Sequence, residues 1–243
     1  TWGKLSLGQG DTASNGSSEV DLSGTGIVGY SSVSDYAGGI LFADASTGAL
    51  SAVSIGDVMS NMDGLSRRDR VRYDTPSFNG FKLSGSLTED SKQDIALRYN
   101  GEFAGAKFSA AAAYAHQDRS STEDQYNGSA SLLLKNGLNF TIAGGMRDLD
   151  TAGRDEPYYF YGKLGYQANL NSYGPTNFAI DYGYFEDIAQ DNDDAATIGL
   201  FAVQQIKEYG IDLYFGYRWH ELDRTGTDYD DINALMIGSR IKF

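Results

Sequence analysis

An alternation of period two runs through most of this 243-residue chain, and no other feature limits its fold as tightly. Successive side chains of a strand point to opposite faces, so alternating apolar and polar residues mark a sheet with two chemically different sides. The final stretch, DINALMIGSRIKF, sets Leu235, Ile237, Ser239, Ile241 and Phe243 at every second position. Asn233, Met236, Gly238, Arg240 and Lys242 lie around and between them. The same rhythm fills FKLSGSLT, DIALRYN, KFSAAAAYA, YNGSASLLLK and LNFTIAGGMR, and continues through YYFYGKLGYQAN, NFAIDYGY and IDLYFGYRWH. ATIGLFAVQQI carries it less cleanly.

About twelve such segments of roughly 8–12 residues match the ~9–11 residues of a tilted membrane strand. Their connections alternate in size. LKNGLN carries the two-residue hairpin signal Asn136-Gly137, and YNGEFAGAK, ANLNSYGPTN and IKEYGI are also short. The opposite ends carry QDRSSTEDQ, RDLDTAGRDEP, EDIAQDNDDA and HELDRTGTDYDD, which hold most of the net charge of -14. Short turns at one end and long acidic loops at the other describe a transmembrane antiparallel β-barrel.

Composition excludes several alternatives. With no cysteine there is no disulfide framework and no thiolate metal site. No apolar run is long enough for a membrane helix. The acidity argues against nucleic acid, which needs a basic face. A soluble sandwich would fill its inner face with bulky aliphatics. Here the apolar face mixes Gly and Ala with aromatics concentrated at strand ends, among them Phe81, Tyr99, Phe108, Tyr114, Tyr126, Tyr158, Tyr166, Phe178, Tyr184, Tyr217, Trp219 and Phe243. Those positions suit interfacial girdles. The apolar face is therefore assigned to lipid and the polar face to water. An open edge in hydrocarbon leaves backbone groups unpaired, so such a sheet has to close.

One segment, residues 11–69, lacks the period. It is rich in Gly and Ser and carries Glu19, Asp21, Asp35, Asp44, Asp57 and Asp63. Ile55, Val58, Met59 and Met62 share one face at helical spacing, which predicts a short helix. A loop this long inside a compact domain needs a reason. The expectation is that it folds into the lumen and narrows an otherwise wide channel.

The residues flanking this loop resemble the general porins of Gram-negative outer membranes. GKLSLGQGDTA precedes the loop, and the chain returns through RDRVRYDTPSFNGFKLSGSL. The family pattern V-R-Y-D-[ST]-P-x-F-x-G-F is met by Val71, Arg72, Tyr73, Asp74, Thr75, Pro76, Phe78, Gly80 and Phe81. Phe243, with Ile237 and Ile241 before it, is similar to the C-terminal signature read by the barrel-assembly machinery. The resemblance implies an integral outer-membrane β-barrel, a water-filled channel for passive diffusion of ions and small hydrophilic solutes, contact with the lipid bilayer and lipopolysaccharide, and a homotrimer. It also implies a sixteen-stranded barrel whose constriction loop follows the fifth strand. This chain then reads as one porin domain over 1–243: either, as favoured, it starts at strand five with four N-terminal strands outside the sequence, or it is a twelve-stranded relative.

Strand parity turns Arg68, Arg70, Arg72 and Asp74 inward, with Lys82, Arg98, Arg147, Lys163, Arg218, Arg240 and Lys242 on their own strands. The family's transverse field, loop acids against wall arginines, then falls on Asp35, Asp44, Asp57 and Asp63 opposite Arg68, Arg70, Arg72 and Arg98. A mild cation preference is expected from the acidic loops. Three other readings compete with it. A barrel enzyme needs a histidine within reach of a nucleophile, and only His116 and His220 exist, both read as lying at loop margins. A sugar channel would use Tyr159, Tyr161 and Tyr214 as a stacking track. A plugged structural barrel would not conduct. No metal, phosphate-loop or cofactor motif is present, and no cofactor is expected.

Overall fold

The computed structural model describes residues 2–117 and 121–243. Its main element is a 13-stranded antiparallel sheet. Strand β1 (Lys4–Asp11) pairs with β4 (Arg67–Asp74), in register from Lys4 opposite Asp74 to Asp11 opposite Arg67. Next-neighbour pairing then runs through β5 (Phe81–Thr88), β6 (Gln93–Phe103), β7 (Ala106–His116), β8 (Thr122–Leu133) and β9 (Leu138–Leu149). It continues through β10 (Tyr158–Ala168), β11 (Thr176–Glu186), β12 (Asp193–Ile206), β13 (Ile211–Arg224) and β15 (Ile232–Ile241), with the two-residue β14 (Thr227–Asp228) beside β13. Among the described residues β1 pairs only with β4, and β15 only with β13, so the sheet has two free edges.

The two faces differ as the alternation requires. Val71, Leu83, Leu97, Phe140, Ile142, Leu164, Ile180, Leu200, Phe215 and Ile237 are exposed on one of them. Their polar alternates, such as Ser84, Asp94, Ser129, Thr141, Lys163, Asp181 and Arg218, are buried on the other. Water would not leave so large an apolar face bare, whereas lipid matches it. Aromatic rings meet across neighbouring strands at both ends of this belt. Near the short turns Phe81 stands 4.6 Å from Tyr99, which is 5.9 Å from Phe108. At the opposite end Tyr114 and Tyr126 are 5.2 Å apart. There ring hydroxyls and an indole N–H reach acids: Tyr114 donates to Asp124 at 2.7 Å, Tyr184 donates to Asp194, and Trp219 Nε1 donates to Asp231 at 2.9 Å.

Three readings of the sequence need correction. HELDR is strand, not loop: β13 runs to Arg224 and turns at Gly226, so pairing outlasts the apolar belt. Only residues 150–157 and 187–192 separate β9 from β10 and β11 from β12, shorter gaps than the acidic stretches suggested. Residues 118–120 of QDRSSTEDQ lie outside the described residues. His220 is not at a loop margin: it is fully buried in β13, with Nδ1 3.4 Å from Met59 Sδ. His116 does end its strand, where its ring bonds Asp124 at 2.8 Å.

Candidate pore and its lumen loop

Residues 12–66 lie against the polar face of the sheet, and the wall supplies the polar atoms their backbone lacks. Asp94 accepts from the amides of Ala13 (3.2 Å) and Ser14 (2.8 Å). The amides of Val20 and Leu22 donate to the hydroxyls of Ser129 and Ser131, each at 2.9 Å. Gln167 Nε2 donates to the Leu22 carbonyl at 2.7 Å. Tyr36 donates to the Gly216 carbonyl of β13. Two ion pairs sit beneath this path. Lys163 Nζ is 2.7 Å from Asp21 and donates to the Gly29 carbonyl at 2.6 Å. Arg218 grips Asp181 bidentately at 3.1 and 2.8 Å and also reaches the Tyr30 carbonyl at 3.4 Å.

The loop then doubles back as a small unit of its own. β2 (Leu41–Ala43) and β3 (Leu50–Ser54) pair, and α1 (Ile55–Val58) follows. Ser54 caps α1 by accepting from the Asp57 amide at 3.3 Å, while the Asp57 carboxylate accepts from the Ser54 amide at 2.8 Å. Ile55, Val58, Met59 and Met62, the face predicted for a helix, are all buried, although the helix itself ends at Val58. With Val33 and Phe42 they form an apolar cluster against Tyr159, Tyr161, Phe185 and Leu222 of the wall. A second cluster joins Val28 and Tyr36 to Phe201 and Val203. This explains the uneven alternation of ATIGLFAVQQI: β12 is apolar outward toward lipid and apolar inward toward the loop. The leg returns along β8, where Gln125 Nε2 donates to the Met62 carbonyl at 2.8 Å.

The acids proposed from the sequence separate into two groups. Asp44 lies in the β2–β3 turn, accepting from the amides of Ser46 and Thr47, each at 2.9 Å. Asp57 is the reciprocal partner of the Ser54 cap of α1. Hydrogen bonds to neighbouring hydroxyls hold both below the ordinary carboxylate range. Both are therefore used locally. Asp63 and Asp35 lie with Glu19, which sequence reasoning noted in the loop but did not choose. Asp63 accepts from the amides of Gly16 (2.6 Å) and Ser18 (3.0 Å). Burial pushes Asp63 upward, and those amides together with Arg98 pull it back. Asn61 Nδ2 donates to Glu19 at 3.0 Å. Burial and the neighbouring Asp63 raise Glu19 to about 7. Asp35 is exposed and accepts from the Tyr30 hydroxyl.

The arginines also separate. Arg68 is 3.7 Å from Asp90, in the turn after β5. Arg72 pairs with Asp74 at 2.9 Å, and Lys82 approaches the same carboxylate at 3.3 Å. Arg70 reaches only carbonyls, those of Gly8 and Asp11, each at 3.0 Å. Arg98, midway along β6, donates to the Asn15 carbonyl at 2.7 Å and to Ser17 Oγ at 3.2 Å. Among the described residues neither Arg70 nor Arg98 has a carboxylate at ion-pair distance. Residues 12–66 contain no Lys or Arg. Negative charge therefore comes from the loop and uncompensated positive charge from the wall beside it.

A sheet with a lipid-facing apolar exterior and a charged, loop-lined interior defines an outer-membrane channel. A family model described as Gram-negative porin matches residues 1–225, and the chain belongs to that family. Its fold is similar to the anion-selective porin from Comamonas acidovorans, at 15% identity and a TM-score of 0.61, covering 100% of this chain and 75% of that one. It is also similar to outer-membrane expressed OmpT of Vibrio cholerae, at 12% identity and a TM-score of 0.60, covering 99% and 77%. The outer-membrane channel DcaP of Acinetobacter baumannii follows at 11% identity and a TM-score of 0.50, covering 97% and 70%. A search of curated protein sequences found no match. The protein is an outer-membrane porin through which ions and small hydrophilic solutes diffuse passively.

Proposed function

We propose that residues 11–69 form the constriction of a single porin domain. In this reading Glu19, Asp35 and Asp63 make its acidic side, and Arg70 and Arg98 its basic side. The observation that carries it is the pair Arg70 and Arg98, whose guanidinium groups contact carbonyl and hydroxyl oxygens while the acids stand on the facing loop. Opposed charges in a narrow, low-dielectric rim set up a transverse field that orients dipolar solutes and gives each ion sign its own track. Selectivity is consequently weak. Asp44 and Asp57 leave the constriction in this reading, because turn and cap donors hold their carboxylates. Arg68 leaves it for Asp90 and Arg72 for Asp74.

The channel is non-enzymatic in this proposal. That is supported by the surroundings of both histidines, His220 against Met59 and His116 against Asp124. An aromatic sugar track is disfavoured, since Tyr159 and Tyr161 are covered by the loop cluster. A homotrimer is proposed with its contact over β7 and β8, where Ala110 faces Ala130 and Ala112 faces Gly128 in register, a wall of low relief.

The test is single-channel recording with reversal potentials under a salt gradient. Arg70→Gln and Arg98→Gln are each expected to shift the permeability ratio toward cations, because each removes one positive charge from the wall of a narrow pore. Conductance in steps of three supports the trimer. Unchanged reversal potentials in both variants would refute the assignment of the basic side.

A further inference from the structure

Residues 29 and 30 of the loop rest on one ring of the wall. Phe201 of β12 is 4% exposed and packs with Val28, Tyr36, Ala179 and Val203. Gly29 lies so close to it that a Cβ built there would stand within 2.6 Å of three of its ring carbons. The wall clears space for the same ring. A Cβ at Gly199 would overlap it, and one at Gly216 would meet it at 3.2 Å and Val28 at 2.7 Å. Two cations flank the ring, Lys163 Nζ at 5.7 Å and the Arg218 guanidinium at 4.9 Å from its centroid. Each holds the carbonyl of one seated residue: Lys163 that of Gly29 at 2.6 Å, and Arg218 that of Tyr30 at 3.4 Å. The ring is thus a stop, and the two cations draw the loop backbone onto it.

We propose that Phe201 and Gly29 are positioning residues that set the width of the channel. The inference rests on the constriction reading above. Carbon atoms pack at ~3.5–4.0 Å, so a methyl group at Gly29 needs roughly 1 Å more room than this contact leaves. Phe201 does not supply that room, because its own neighbours cage it and a packed core resists such shifts. The loop gives way instead, moving off β12. Tyr30, the next residue, donates to Asp35, so the displacement carries an acid of the constriction toward the basic side. Shortening the ring has the opposite effect. With the stop withdrawn, Lys163 and Arg218 pull residues 29 and 30 closer to β12, and the passage widens. Gly29 and Phe201 are both buried, so each acts on solutes only through the position of the loop.

The experiment is osmotic swelling of liposomes that hold the purified native protein, in a neutral monosaccharide, disaccharide and trisaccharide. Neutral probes read pore width without charge, and the ratio of larger to smaller sugar cancels the number of channels inserted. Gly29→Ala should lower the trisaccharide-to-monosaccharide ratio, and Gly29→Val should lower it further. Phe201→Leu should raise it above the wild-type value. Gly29→Ala combined with Phe201→Leu should return it toward wild type, because the shorter side chain leaves room for the methyl group. A merely structural role predicts fewer channels at an unchanged ratio, or shifts of one sign in every variant, and either result overturns the proposal. Reversal potentials separate this failure from that of the constriction. A flat ratio while Arg70→Gln or Arg98→Gln still moves the potential sinks the seat alone. A ratio and a potential that both stay flat sink the constriction reading as well.

Discussion

Lys163→Met removes one half of the ion pair that fastens the loop. Both partners are buried, with side-chain exposures of 0% for Lys163 and 8% for Asp21. Deleting the lysine strands a carboxylate and also removes the 2.6 Å bond to the Gly29 carbonyl. Breaking a buried pair from one side costs about 3–5 kcal/mol. That cost falls on the loop leg, not on the sheet, because Asp21 regains water once the leg lifts into the lumen. Rehydration favours the lower end, about 3 kcal/mol, equivalent to roughly a 10²-fold rise in the open population. Hydrogen exchange read by mass spectrometry reports this directly, since amide exchange follows local opening. Amides of residues 20–29 should exchange roughly 10²-fold faster in the variant, while those of β10 and β11 keep their protection. The double variant Asp21→Asn, Lys163→Met should recover most of the loss, because no charge is left buried. Unchanged exchange over residues 20–29 in the single variant would refute the fastening role.

The faces of the sheet and the loop helix carry three further predictions. Leu200→Arg, on the lipid face, should lower unfolding stability in vesicles by about 2–4 kcal/mol, seen in the denaturant midpoint, whereas a value near zero would remove Leu200 from the hydrocarbon. Ser54→Ala removes the cap of α1 and should cost about 0.5–2 kcal/mol of local stability, read as faster exchange at Asp57 and Val58. The Asp57 carboxyl is held low by Ser54, so its contribution is present above the ordinary carboxylate range and lost as acid carries pH through the folded value. Exchange of these amides in the wild type should therefore rise only in acid.

The strands were legible because lipid on one side and water on the other impose period two. Legibility failed where the inner face meets protein. Phe201 and Val203 break the pattern because Val28 and Tyr36 pack on them from a segment more than a hundred residues away. Parity correctly turned Arg70, Arg72, Lys163 and Arg218 inward, but it gives no partner, and the partner decides whether a charge is free. Arg218 is fully neutralised by Asp181, while Arg70 is not neutralised at ion-pair distance. Asp57 carried a readable signal, since Ser54-Ile55-Gly56-Asp57 has the spacing of a capping box. Glu19 carried none. Its setting depends on Asn61 and Asp63 returning from more than forty residues further along the chain.

The apolar cluster beneath the loop also bears on the order of assembly. Phe42, Ile55, Val58, Met59 and Met62 rest on residues of β10, β11 and β13 that are synthesised far later. The loop has no seat until those strands have been laid down. Until then it presents exposed methionine and aliphatic side chains, and Tyr159, Tyr161 and Phe185 face an empty, wet interior. Contacts of such long sequence separation form late and slowly. The seat of this loop is thus complete only once the later strands have paired, and the segment is the last part of the molecule to take shape.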